Sequence, residues 1–122
     1  MKATLSAVQP VLMVRDVAAA ISFYEQLGFS LVFRDSDTKP MYAGVRRDGL
    51  DLHLQWHDSA EWGYPNDRPT YRFVVAEVDK LSAEFSSFQG LDRTHVSDTA
   101  WGTREFHVRD PDGNCLQFYR NL

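Results

Sequence analysis

The segment DGLDLHL at residues 48–54 decides the fold, because its pattern returns as DGNCLQF at residues 112–118. An Asp-Gly pair is typical of a tight hairpin turn. The alternation of apolar and polar residues behind it is typical of a strand with one buried face. The two segments lie 64 positions apart, and an apolar run followed by an acidic helix start precedes each of them. Repetition of this kind predicts two copies of one supersecondary unit.

Outward from residues 48–54, the first copy predicts four strands and one helix. Residues 8–14 are apolar and indicate a buried strand. Asp16 is expected to cap a helix with apolar residues at helical spacing, and Gly28 is expected to end it. The remaining strands are expected at residues 29–35, 41–47 and 50–57.

The second copy follows a linker, residues 58–69, that is rich in turn residues. Residues 71–78 predict a strand, Asp79 a helix cap and Gly90 the helix end. Further strands are expected at residues 92–97, 104–109 and 114–119.

The pattern therefore predicts an α+β fold made of two βαβββ modules, at about residues 7–58 and about residues 70–120, within a single domain spanning residues 1–122. A sheet with one helix on its back leaves its other face uncovered. Two such sheets can curl toward each other and enclose a groove, which is where small ligands bind.

Composition narrows the classes of function. A net charge of −4 argues against a nucleic-acid footprint, which needs a basic surface. The sequence indicates neither a membrane segment nor a signal peptide. Cys115 is the single cysteine, which excludes an intramolecular disulfide and favours the cytoplasm. We interpret it as a buried packing residue, because the sequence offers no neighbour that would activate its thiol.

Four motifs carry a family resemblance that covers nearly the whole chain. The segments PVLMVRDV at residues 10–17, FYEQLGF at residues 23–29 and RDPDGNC at residues 109–115 resemble the vicinal oxygen chelate superfamily, which includes glyoxalase I, extradiol dioxygenases, fosfomycin-resistance enzymes and bleomycin-resistance proteins. The run WGTREF at residues 101–106 is similar to the bleomycin-resistance branch, with Thr103 as one extra residue.

The resemblance implies a glyoxalase/bleomycin resistance fold and a homodimer. In the bleomycin-resistance branch, two chains exchange their N-terminal strands and make two grooves at the interface. Pro10, near the start of the first strand, resembles the proline that accompanies this exchange.

The resemblance also bears on metal binding. Superfamily enzymes take metal ligands from the first and last strands of each module, and these positions map to Gln9, His53, Phe73 and Gln117. None of the four is a carboxylate, and a phenyl ring cannot ligate a metal. Two neutral amides and one imidazole make a poor chelate, so the sequence predicts neither a metal nor another cofactor.

The expected ligand-binding side chains are aromatic or polar and are placed along strands and loops that should face a groove. Flat heteroaromatic ligands stack on such rings, and a cationic group adds attraction to them. Trp56, on the leucine face of its strand, is expected in the core instead. The expected ligand-binding residues are Phe33, Tyr42, His53, Gln55, Trp62, Tyr71, Trp101, Arg104, Gln117 and Tyr119.

The function that these features favour is a non-catalytic binder that sequesters a bleomycin-like glycopeptide or another flat, basic compound in a groove at a dimer interface. We expect no catalytic residues, no nucleic-acid partner and no membrane association. One alternative is a metal-dependent superfamily enzyme, such as a glyoxalase-type isomerase, a dioxygenase or a thiol transferase. Another is a binder of an unrelated metabolite.

Overall fold

The computed structural model describes residues 1–61 and 68–122, in two compact units, Met1–His57 and Asp58–Leu122. Each unit holds one β-sheet with an α-helix packed on one face. The two sheets share one strand order: in each, the first strand of the module pairs with the last, the last with the strand before it, and that strand with the second. The predicted α+β fold with two βαβββ modules is confirmed.

The first module follows the predicted element order. Strand β1 (Val11–Val14) runs parallel to β4 (Leu50–Trp56), and the other neighbouring strands are antiparallel. The elements are β1 (Val11–Val14), α1 (Val17–Gln26), β2 (Ser30–Arg34), β3 (Tyr42–Arg47) and β4 (Leu50–Trp56).

Local signals set the ends of these elements. A carboxylate oxygen of Asp16 accepts a hydrogen bond from the Ala19 amide at 3.0 Å, which confirms the predicted cap. Gly28 has a φ of 91° just beyond the helix, as a left-handed C-terminal residue should. Asp48 and Gly49 both have positive φ, as a two-residue hairpin turn of the primed type requires. Strand β1 begins only at Val11, after Pro10, because proline has no amide hydrogen to donate to a sheet.

The second module differs from the prediction in its second strand. In place of one strand at residues 92–97 there are two short ones, β6 (Asp92–Arg93) and β7 (Ser97–Asp98), and both pair with β8 (Thr103–Arg109). Short 3-10 turns lie at Ser59–Glu61 and Phe85–Ser87. The other elements are β5 (Thr70–Val74), α2 (Val78–Glu84), β6 (Asp92–Arg93), β7 (Ser97–Asp98), β8 (Thr103–Arg109) and β9 (Cys115–Asn121).

The predicted cap of α2 is wrong. The helix begins at Val78, Glu77 occupies the N-cap position, and no side chain caps the helix there. Asp79 lies inside the first turn, where its carboxylate accepts hydrogen bonds from Nε and Nη2 of Arg104 at 2.9 and 2.8 Å. Asp79, which the local sequence suggested as a cap, therefore forms a salt bridge with an arginine on a strand of the sheet instead.

The cores lie between each helix and its sheet. In the second module, Phe118 contacts the rings of Phe73, Phe85 and Phe106, with centroids 5.1–5.7 Å apart.

The prediction that Trp56 is a core residue is wrong, since it is 42% exposed at the end of β4. Cys115 is buried, as predicted. None of the helices in the described residues is long and apolar enough to cross a membrane. In the first module, the fully buried side chains include Leu12, Val14, Val17, Tyr24, Leu27, Val45 and Leu54.

Strand register corrects the alignment of the two modules. His53 pairs with Val11, and Gln117 pairs with Arg72, so the 64-residue spacing holds in the last strands but shortens to 61 in the first. Phe73 pairs with Phe118 and so corresponds to Leu12, not to Gln9. A constant 64-residue spacing would make Gln9 the counterpart of Phe73, and the register shows that this correspondence is wrong.

Candidate functional site

An aromatic cluster lies on the face of the first sheet that α1 does not cover, which we call the helix-free face of sheet one. The Tyr42 hydroxyl and Nδ1 of His53 are 2.7 Å apart and share one hydrogen bond. The Phe33 ring lies 5.3 Å from the His53 ring, edge to face, and 6.1 Å from the Tyr42 ring, stacked. Phe33 is 42% exposed, so its ring is available to a ligand. The structure thus brings these three predicted residues together.

Gly44 makes this arrangement possible. It pairs with Phe33 on one side and with His53 on the other. A Cβ added at Gly44 would lie 2.3 Å from Cε1 of Phe33, so the phenyl ring rests directly on the glycine backbone. Any larger residue at this position would have to displace the ring.

Polar groups surround the cluster. Gln55, a predicted site residue, is exposed and pairs with Tyr42 across the two strands. The Arg46 guanidinium donates to both carboxylate oxygens of Asp51 at 2.6 and 3.3 Å. This contact is the largest influence on the pKa of Asp51, which lies below its usual value. Asp51 is therefore ionised at neutral pH and neutralises the nearby arginine.

The helix-free face of sheet two carries a buried carboxylate. Glu105 is only 4% exposed. Its Oε1 accepts from Trp101 Nε1 at 3.1 Å and from Thr103 Oγ1 at 2.6 Å, and its Oε2 lies 2.5 Å from His107 Nε2. Trp101 is 70% exposed, so this hydrogen bond holds an indole ring at the surface.

Strands β5 and β9 place an arginine guanidinium on the same face of sheet two. Nη1 of Arg72 donates to Oε1 of Gln117 at 3.0 Å, and its guanidinium carbon lies 4.0 Å from the centre of the Tyr119 ring. The predicted residues Gln117 and Tyr119 are thus joined by a residue that the sequence analysis did not select.

Two predicted site residues, Tyr71 and Arg104, lie on the helix-covered face of sheet two. Tyr71 pairs with the fully buried Leu116, and burial raises the pKa of its hydroxyl. Arg104 binds Asp79 and Asp98 on the side covered by α2, and these carboxylates raise the pKa of its guanidinium. Tyr71 was predicted as one of the aromatic residues expected to line the groove, and Arg104 lies in the WGTREF run, but strand alternation turns both toward the helix. Trp62 lies outside the described residues.

The mapped metal positions do not suit a metal ion. Oε1 of Gln117 already accepts from the guanidinium of Arg72, whose positive charge would repel a divalent ion. Phe73 is half-buried and stacks on Phe118. Nδ1 of His53 is hydrogen-bonded to the Tyr42 hydroxyl, and Gln9 lies near Asp51, whose pKa it helps to lower. Within residues 1–61 and 68–122, no three His, Cys, Asp or Glu side chains group to hold a metal.

Like Arg72, Glu105 and His107 were not among the residues predicted from the sequence. They flank Phe106, which is fully buried under α2, so alternation alone places both on the opposite face. A glutamate two positions before a histidine on a strand with one buried face therefore predicts that the two side chains lie side by side on the other face.

Comparison with known protein families identifies the family of the chain. Residues 6–118 match the model of the Glyoxalase/Bleomycin resistance protein/Dioxygenase superfamily. The chain belongs to this superfamily. A bleomycin resistance protein of Geobacillus stearothermophilus is 29% identical over 130 residues, which cover 93% of this chain and 95% of the relative.

Solved structures with this fold superpose closely on the chain. The bleomycin-binding protein from bleomycin-producing Streptomyces verticillus, complexed with copper(II)-bleomycin, has a TM-score of 0.78 and 30% identity, and covers 99% of this chain and 100% of that one. A glyoxalase-related enzyme from Clostridium phytofermentans has a TM-score of 0.76 at 18% identity, with 98% of both chains covered. The second likeness shows the fold alone.

Proposed function

We propose that this superfamily member binds and sequesters a bleomycin-like glycopeptide, or another flat and basic small molecule, without chemical conversion. The observation that carries the proposal is the set of exposed rings held in place by specific contacts. Phe33 rests on Gly44, and Trp101 is held by the buried Glu105. Such rings stack on flat ligands at little conformational cost, because their orientation is set before binding.

The comparison with the Streptomyces protein supports this choice of ligand. That protein was solved with copper(II)-bleomycin, and the likeness covers 99% of this chain. The enzyme alternative is weaker, because the mapped positions lack a carboxylate and one of them is bonded to Arg72. We also propose that the two modules act as one domain in the cytoplasm.

A homodimer with exchanged N-terminal strands forms part of the proposal. Residues 1–10 contain no helix or strand, and Leu5 and Val8 within them are 95% and 84% exposed. A second chain could cover these apolar side chains over an interface above about 1,200 Å². Analytical ultracentrifugation should give a dimer at micromolar concentration, and a monomer there would contradict this part of the proposal.

Calorimetric titration with metal-free and copper-loaded bleomycin tests the ligand. We expect at least one form to bind with a Kd below about 100 μM. Replacing Phe33 or Trp101 by alanine should weaken binding by about 5- to 150-fold, the range for a lost aromatic stacking contact of roughly 1–3 kcal/mol.

Val32→Ala is the matched control, because Val32 is 48% exposed, neighbours Phe33 and lies at the irregularity in β2. This variant should bind as the wild type does. If neither form of bleomycin binds in this range, sequestration of a bleomycin-like compound is the wrong function.

A further inference from the structure

Glu105 connects two side chains that reach the surface of sheet two. It is buried, whereas Trp101 is 70% exposed and His107 is half-buried. Thr103, also buried, donates to the same carboxylate and lies 2.8 Å from the hydroxyl of Thr99. Every carboxylate oxygen of Glu105 is therefore engaged by a hydrogen-bond donor.

The carboxylate is ionised despite its burial. Burial alone would raise the pKa of Glu105, but donation from Thr103, His107 and Trp101 together lowers it below the usual value. An ionised carboxylate only accepts hydrogen bonds. The imidazole of His107 must therefore carry its hydrogen on Nε2, and in the neutral ring Nδ1 is left as a hydrogen-bond acceptor.

We propose that Glu105 is a positioning residue that makes Trp101 and His107 one recognition element. The indole stacks against a planar heteroaromatic ring of the ligand, and Nδ1 of His107 accepts a hydrogen bond from an N–H group on or beside that ring. This inference rests on the proposed function and narrows its ligand to flat compounds with such an N–H donor. Because Glu105 orients both side chains before the ligand binds, less conformational entropy is lost on binding.

Two measurements without bleomycin test the positioning. In a Trp56→Phe/Trp62→Phe background, Trp101 is the sole tryptophan, and its time-resolved anisotropy should show a slowly moving indole that becomes faster on Glu105→Gln. Nitrogen-15 NMR at pH 8 should show His107 as the Nε2–H tautomer. Glu105→Gln should shift it toward Nδ1–H, because the new amide can donate to Nε2. An unchanged indole motion and an unchanged tautomer would overturn the proposal.

Titration of the single variants then tests recognition. Glu105→Gln and His107→Ala should each raise the Kd for metal-free bleomycin by about tenfold, and the double variant should lose less than the product of the two, because the residues act together. Asp79→Asn is the matched carboxylate-to-amide control on the helix-covered face, and its Kd should stay within about twofold of the wild type. Wild-type affinity in both Glu105→Gln and His107→Ala would refute the inference.

A fragment separates failure of this inference from failure of the proposed function. 2-Aminothiazole-4-carboxamide has a flat ring and N–H donors but no glycopeptide. If bleomycin does not bind but the fragment shifts the NMR signals of Trp101 and His107, the recognition element stands and the proposed ligand is wrong. If neither compound shifts these signals, the inference fails as well.

Discussion

The helix-free faces of the two sheets share a hydrogen-bonding plan but differ in chemistry. By strand register, Tyr42 in the first module and Glu105 in the second occupy equivalent places, and each hydrogen-bonds the histidine of its own sheet. The histidine itself has changed strand, from His53 on β4 to His107 on β8. The fold therefore provides one place from which a histidine can be oriented, and the two modules fill it with a phenol and a carboxylate.

The same register explains the other differences between the two faces. Val11 in the first module corresponds to Arg72 in the second, and Gly44 corresponds to His107. Sheet one can support a phenyl ring because a glycine lies beneath it, whereas sheet two has a histidine at that place and a guanidinium beside it. A repeated backbone thus carries one mainly aromatic face and one charged face.

The largest expected effect concerns the two cores rather than the two faces. Phe118→Ala should lower the free energy of unfolding by about 3–5 kcal/mol, because it removes a ring in contact with three others. Leu54→Ala, at the equivalent position, should cost about 2–5 kcal/mol. Chemical denaturation followed by circular dichroism measures both. A loss below about 1 kcal/mol for Phe118→Ala would contradict the packing described for the second module.

The next effect compares the two residues that orient a histidine. Glu105→Ala should lower the free energy of unfolding by about 2–3 kcal/mol, because it strips the partner from three donors. Tyr42→Phe removes one hydrogen bond to His53 and should cost about 0.5–1.5 kcal/mol. The same denaturation experiment ranks them. Equal losses of unfolding free energy would show that Glu105 stabilises the protein no more than the single hydrogen bond of Tyr42 does.

A smaller effect isolates the glycine support under Phe33. Gly44→Ala should weaken ligand binding about fivefold, or roughly 1 kcal/mol, because the added methyl group displaces the phenyl ring. In a Phe33→Ala background the same change should have little further effect, because nothing remains to displace. Calorimetry of the four proteins gives this cycle. A full fivefold loss in the Phe33→Ala background would mean that Gly44 acts by another route.

The smallest effect is on the pH dependence of stability. The folded-state pKa of Glu105 lies below its usual 4.5, so its ionised form stabilises the protein above that pH, and this contribution is lost as the pH falls through the folded-state pKa. The wild type should therefore exceed Glu105→Gln in free energy of unfolding at pH 7, and the gap should narrow below pH 4.5. A gap that widens on acidification would mean that the pKa of Glu105 is raised instead.

The sequence predicted most of the fold because its signals were local. Asp16 caps its helix by accepting a hydrogen bond from an amide three residues away, and Asp48 and Gly49 form a turn within their own pair. The candidate site was predicted only in part. Phe33, Tyr42 and His53, which were all predicted as site residues, come together, but Tyr71 and Arg104 face the helix, since residue type carries no information about the side of a strand.

By itself, the sequence determined the repeated plan of two βαβββ modules and the superfamily. Tertiary structure alone decided the register of β5 against β9, because that register depends on Phe73 packing on Phe118, 45 residues away. It also decided the role of Glu105, whose donors come from a loop and from two other places on its strand. Turns and caps are encoded within a few residues, whereas the charge state of a buried carboxylate depends on every group that the fold brings to it.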